Sequence, residues 1–172
     1  MAEAGIRLAP VPFDPWAELA ALQSALAPAV GASAIFLGTA RADAADPAEP
    51  DGPRLTALEL EHYPGMTERE LQRIATMAAA AHDLLAARIV HRVGRVAPGE
   101  PIVLVAALAT RRAAAFSACR QMIEALKYEA PFWKRECFSD GSARWVEANT
   151  PAAADGAAIP GADPAASTGL PG

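Results

Sequence analysis

A chain of 172 residues is long enough to bury a core of its own and short for two full domains. Its formal net charge of -5 excludes the overall basic field that non-specific nucleic-acid binding needs, so any anion site must be local. The opening MAEAGIRLAP has no basic segment leading into an apolar one, and no apolar run approaches the roughly 20 residues that span a bilayer. The expectation is therefore a cytoplasmic protein with no membrane segment. Its two cysteines, Cys119 and Cys137, should stay reduced, and their spacing matches no zinc pattern.

Asp14 before Pro15 and WAELAALQSAL reads as an N-cap, a proline at the first helical position and an amphipathic helix ending near Pro28. The apolar run 32–39, ASAIFLGT, predicts a strand buried on both faces. Residues 42–54, rich in Ala, Asp and Pro, read as a mobile surface loop. From 54 to 63 the residues alternate, Leu58 and Leu60 one way and Glu59 and Glu61 the other, as in a half-buried strand. Thr67 and Glu70 have the spacing of a capping box, opening a helix to about Leu85.

Residues 88–96 and 102–108 predict two strands of a hairpin joined through the turn Ala97-Pro98-Gly99-Glu100. A third helix is expected from Arg112 to Tyr128, with Phe116, Cys119, Ile123 and Leu126 as its core stripe and Pro131 beyond its end. FWKRECF and ARWVEA flank Ser139-Asp140-Gly141-Ser142, the signature of a closing hairpin. Residues 150–172 have almost no large apolar side chains and should be a disordered tail behind a single domain over 1–149. The whole predicts a mixed α+β fold of three helices with mixed or antiparallel strands and a C-terminal hairpin.

The chemistry is signalled by lysine. Of fifteen basic residues thirteen are Arg; the two lysines, Lys127 and Lys134, stand seven positions apart on either side of Pro131. Lys can release its proton at accessible cost whereas Arg cannot, so the pair points to amine chemistry. Nine of the fifteen basic residues lie between Arg88 and Arg135 against three acids, which concentrates positive charge there. Neighbouring cations favour a neutral amine, preparing a nucleophile or proton shuttle. Arg111 and Arg112, where a strand hands over to a helix, could join the helix N-terminal N–H groups in holding a phosphate. On an unbroken helix, however, Arg112 and Lys127 are roughly 20 Å apart. A later helix start, the loop Thr39-Ala40-Arg41 or a second subunit would then have to complete one small site.

The segments FLGTAR (36–41), LELEHYPGMT (58–67), HRVG (91–94), RRAAAF (111–116), LKYEAPFWKRE (126–136) and RWVEA (144–148) closely resemble, in order and spacing, the large-subunit family of molybdopterin synthase. The resemblance implies an α/β hammerhead-type fold. It also implies a heterotetramer in which a homodimer of large subunits carries a small ubiquitin-like sulfur-carrier subunit at each end. The small subunit's C-terminal Gly-Gly thiocarboxylate would deliver two sulfurs to cyclic pyranopterin monophosphate, making molybdopterin without a metal or other cofactor. Carried over by position, Lys127 and Lys134 would be the catalytic residues. Thr39, Ala40, Arg41, Arg111, Arg112, Arg135 and Glu136 would bind substrate together with the lysines. One departure is Arg111, where the family usually has His; phosphate attraction should survive, while any proton transfer by that imidazole would not.

Two other functions fit parts of the pattern: a non-catalytic adaptor for a ubiquitin-like partner, and a phosphate-ligand binding protein. The retained lysine pair argues against both. His62, His82 and His91 are too scattered for a metal site and read as surface residues. Trp133 and Trp145 could stack on a pterin, but packing in the hairpin core is the simpler reading.

Overall fold

The computed structural model describes residues 3–43, 45, 48–49 and 51–146, so the tail expected over 150–172 lies outside the described residues. In chain order the elements are β1 (Glu3–Ala9), α1 (Pro15–Leu26), β2 (Ala32–Thr39), β3 (Leu55–His62), α2 (Met66–Ala81), β4 (Ala86–Arg92), β5 (Gly94–Val96), β6 (Pro101–Ala109), α3 (Arg112–Tyr128), β7 (Phe132–Phe138) and β8 (Ala143–Trp145). They form two four-stranded sheets, ordered β1-β4-β6-β2 and β5-β3-β7-β8. Among the described residues the α+β expectation of three helices, mixed and antiparallel strands and a closing hairpin holds. Among the described residues no helix is long and apolar enough to cross a membrane.

The first sheet is covered on both faces, which explains why β6 reads as an unbroken apolar run. Val103, Val105, Ala107 and Ala109 pack with Leu71, Ile74, Met122 and Leu126 of α2 and α3. Leu104, Ala106 and Leu108 face the other way, the latter two meeting Leu22 of α1 and the first Val90 and Phe13. The helix α1 begins as its sequence demands: the Asp14 carboxylate accepts from the N–H groups of Trp16 (2.8 Å) and Ala17 (3.2 Å), with Pro15 inside.

One strand carries no local signal, and four local expectations are corrected. The strand β1 gave no local signal, because it is made by parallel pairing with β4, from Glu3 beside Ala86 to Ala9 beside Arg92. The strand expected over 88–96 is two strands: β4 pairs with β6, then Gly94, at φ +75°, turns the chain so that β5 joins β3 in the other sheet. The strand β2 is not buried on both faces; it lies at a sheet edge, with Ile35 and Phe36 exposed. Helix α2 starts at Met66, and its first turn is capped by the Glu68 carboxylate, which accepts from Gly65 N–H at 2.6 Å. Thr67, expected as the cap, is instead inside the helix and wholly buried. Finally, Phe116 on α3 is 67% exposed, while Cys119, Met122 and Leu126 make the buried stripe.

Candidate functional site

Lys127 and Lys134 line one cavity of about 250 Å³, set where the two sheets meet the C-terminal end of α3. Phe36, Gly38 and Thr39 come from β2, Leu60 from β3, His91 from β4, Ile102 and Val103 from β6, Ile123 and Leu126 from α3, and Ala130 and Phe132 from the turn and strand that follow. The lysines converge because α3 stops and the chain folds back. Glu129 N–H closes the last helical turn on Ala125 O at 2.8 Å, and Phe132 N–H bonds Ala130 O at 2.9 Å across Pro131. The strand β7 then runs antiparallel to β3, with Lys134 opposite Leu60. Both lysines are half-buried, in walls that are otherwise mainly apolar.

Among the described residues that line this cavity none is an arginine. The expected crowd of cations around the lysines is dispersed by ion pairs within the chain. Arg88 faces Glu3 at 3.4 Å, Arg92 faces Glu100 at 3.2 Å, Arg95 faces Glu59 at 3.6 Å, and Arg135 Nε donates to Glu59 Oε2 at 2.8 Å. Arg135 thus lies on the face of β7 opposite Lys134, with its guanidinium 5.5 Å from the centroid of the Trp145 ring. Arg111 and Arg112 are exposed at the start of α3, the end remote from Lys127. That start is where the sequence placed it, so a later helix start does not close the distance.

A second hollow of about 440 Å³ holds Arg41 and Glu136 with Asp43, Arg54, Phe138 and Arg144. Arg41 donates to Asp43 at 2.8 Å, and Arg144 donates to Glu136 at 2.9 Å and to Ala45 O at 2.8 Å. Because side chains alternate along a strand, Phe132, Lys134, Glu136 and Phe138 share one face of β7. That face carries the first two into the lysine cavity and the last two into the arginine hollow. Ala40 links the two as backbone: its N–H donates to Glu100 O (3.0 Å), its carbonyl accepts from Gly99 N–H (2.8 Å), and its side chain is buried. The structure therefore gathers Thr39, Lys127 and Lys134, sets Arg41 and Glu136 in the neighbouring hollow, and leaves Arg111, Arg112 and Arg135 elsewhere.

Sequence reasoning missed His91. It is not a surface residue: its ring stacks on Phe132, centroids 3.8 Å apart and planes 14° apart, inside the lysine cavity. Its Nδ1 lies 2.7 Å from Arg92 O, which can only accept, so Nδ1 carries the proton. Burial pushes the imidazole down to about 4, against the opposing pull of the Arg92 carbonyl and with a smaller push from His62. His91 is therefore neutral at pH 7, with Nε2 an acceptor. Phe132 was legible in hindsight, two residues before Lys134 on a strand. Gly38 was not: a Cβ there would sit 2.9 Å from Val103 Cγ1 and 3.3 Å from Phe36 Cε1, a crowding only the fold creates. Trp133 and Trp145 are about half exposed and neither belongs to a hairpin core. Among the described residues no three of His, Cys, Asp and Glu gather as a metal site.

The family model described as MoaE protein matches residues 9–129. The molybdopterin synthase catalytic subunit of Ralstonia nicotianae is 46% identical over 143 residues, covering 83% of this chain and 77% of that one. A solved molybdopterin biosynthesis MoaE protein from Burkholderia ambifaria has a TM-score of 0.67 at 45% identity, over 87% of this chain and 92% of that chain. A protein–protein complex of subunit 1 and 2 of molybdopterin-converting factor from Helicobacter pylori shares the fold alone, with a TM-score of 0.67 at 19% identity over 83% and 90% of the two chains.

Proposed function

The chain belongs to the MoaE protein family, and from that premise we propose that it is the catalytic large subunit of a cytoplasmic molybdopterin synthase. The reaction is sulfur transfer from the thiocarboxylated Gly-Gly end of a small ubiquitin-like subunit to cyclic pyranopterin monophosphate. In each delivery a carbon–sulfur bond forms on the pterin side chain as a carbon–oxygen bond there breaks, its oxygen leaving as water or staying on the phosphate as the cyclic ester opens, while water cleaves the acyl–sulfur bond and leaves the small subunit with a carboxylate. The Helicobacter complex of two subunits is the precedent for such a partner.

The observation that carries the proposal is the meeting of the chain's only two lysines in one largely apolar cavity. Such walls limit competing water and strengthen the pull of an ammonium on a developing negative charge. Lys127, at the end of α3, contacts the thiocarboxylate carbonyl and the pterin as nucleophile or acid/base group, and Lys134 stabilises the negative charge that develops. Thr39 borders the same cavity; Arg41 and Glu136 line the neighbouring hollow, through which the extended peptide end reaches the amines. Arg111 and Arg112 lie too far along α3 to serve the same chain's lysines, so they act as the phosphate cradle for a second large subunit in a homodimer.

The deciding assay mixes the protein with thiocarboxylated small subunit and the cyclic pterin and follows dithiolene product by mass. Lys127→Ala and Lys134→Ala should each slow product formation by about 100-fold or more while still binding the small subunit. Undiminished product from both variants would defeat the reading.

A further inference from the structure

Between Lys127 and Lys134 lies the short reversal 129–131, and the angle at which it turns sets how the two amines face each other. Two ties from α2 hold it. Arg73 pairs with both Glu70 of its own helix and Glu129 at the end of α3, at the exposed surface. The second tie is buried. Thr67 Oγ1 donates to the Pro131 carbonyl at 3.3 Å and accepts from Tyr63 N–H at 3.1 Å, with the residue wholly removed from solvent. A hydroxyl is needed there because it gives and receives at once, so one atom joins the turn before α2 to the reversal 64 residues later. Pro131 has no N–H of its own, which leaves its carbonyl as the backbone hydrogen-bonding group at the centre of the turn.

We propose that Thr67 is a positioning residue for the lysine pair: through the Pro131 carbonyl it fixes the reversal that points Lys127 and Lys134 into one cavity. The kinetic consequence rests on the sulfur-transfer reading above; the geometric one does not. Valine matches threonine in shape but takes this part-buried hydrogen-bond partner from both the Pro131 carbonyl and the Tyr63 N–H. Freed of its tie, the reversal shifts, and a small misplacement of reacting groups lowers turnover far more than it lowers binding.

Since the chain has no other lysine, a short bifunctional amine reagent reports their proximity directly, with the bridged peptide identified by mass. Thr67→Val should give several-fold less Lys127–Lys134 bridging than wild type. Its kcat should fall about tenfold with KM for the pterin little changed, and Thr67→Ser should restore both readings. Should Thr67→Val not fold, Thr67→Cys, close in volume and a weak donor, takes its place against Thr67→Ser. Unchanged bridging in the folded variant overturns the proposal whatever the turnover, and so does a rise in KM without a fall in kcat. If even the wild-type protein transfers no sulfur, the bridging comparison still decides the role of Thr67, separately from the functional reading.

Discussion

The imidazole of His91 lies flat against the ring of Phe132, 3.8 Å between centroids, with its Nδ1–H held 2.7 Å from the carbonyl of Arg92. Protonating that ring in the folded protein means charging a group withdrawn from water. Its folded pKa, about 4, lies below the unfolded value of 6.5, so the unfolded chain binds the proton more readily between those pH values. The contribution is complete above pH 6.5 and is lost as pH falls toward 4. Urea denaturation from pH 7 to 4.5 should lose on the order of 2 kcal/mol through this residue. The His91→Phe variant should show a shallower slope over that range; an identical slope in variant and wild type removes His91 as the cause.

Arg92 is 2% exposed and donates to Ala9 O (3.2 Å), Arg95 O (2.7 Å) and the Glu100 carboxylate (3.2 Å). Those bonds tie β1, the crossing between sheets and the 97–100 turn that carries Ala40. Replacing Arg92 by Met should cost about 3 kcal/mol, since three acceptors lose their donor. Arg92→Lys should recover little of it, because an ammonium cannot copy the guanidinium fork. Denaturant midpoints measure both; a Lys variant as stable as wild type contradicts the fork argument.

Gly38 is required by space. A methyl group there would press on Val103, which is buried between sheet and helix, and on Phe36 in the cavity wall. Gly38→Ala should destabilise by about 1–2 kcal/mol and reduce product formation, because both displaced side chains line the lysine cavity. A variant with unchanged melting temperature and turnover would show that the wall yields freely.

If two large subunits share each site, defects in different parts of it can be separated by mixing. Arg112→Ala and Lys127→Ala proteins, each nearly inactive alone, should regain up to about a quarter of wild-type activity after dissociation and reassociation, as half the dimers form hybrids with one intact site. Activity no greater than the sum of the separate proteins would place Arg112 outside the partner's site.

The exposed and buried faces of α3 give a further contrast. Met122→Ala should cost about 2–4 kcal/mol, because the side chain is fully enclosed between α2, α3 and β6. Phe116→Ser should change stability by less than about 0.5 kcal/mol, its ring being 67% exposed. Calorimetry on the two variants checks both; a large loss from Phe116→Ser at low protein concentration would mean that its ring is packed after all.

Much of the architecture is written locally. The Asp14-Pro15 cap, the alternation from Leu58 to Glu61, the span of α3 and the 139–142 hairpin turn follow from periodicity, capping and turn chemistry, each expressed within a few residues. Composition also singles out the two lysines, which stand against thirteen arginines.

What needed the tertiary structure was everything decided by partners distant in sequence. Whether β2 is central or at an edge, whether Glu3–Ala9 is a strand, and which sheet Gly94–Val96 joins depend on pairings across tens of residues that no local pattern records. The same holds for charge: a stretch rich in arginine looked like one positive field, but Glu3, Glu59 and Glu100 pair with four of its members, Glu59 with two of them. Residue type and spacing determined which groups could do chemistry here. Long-range packing, where the free energy of a contact depends on what else is buried beside it, decided which of them meet in one cavity.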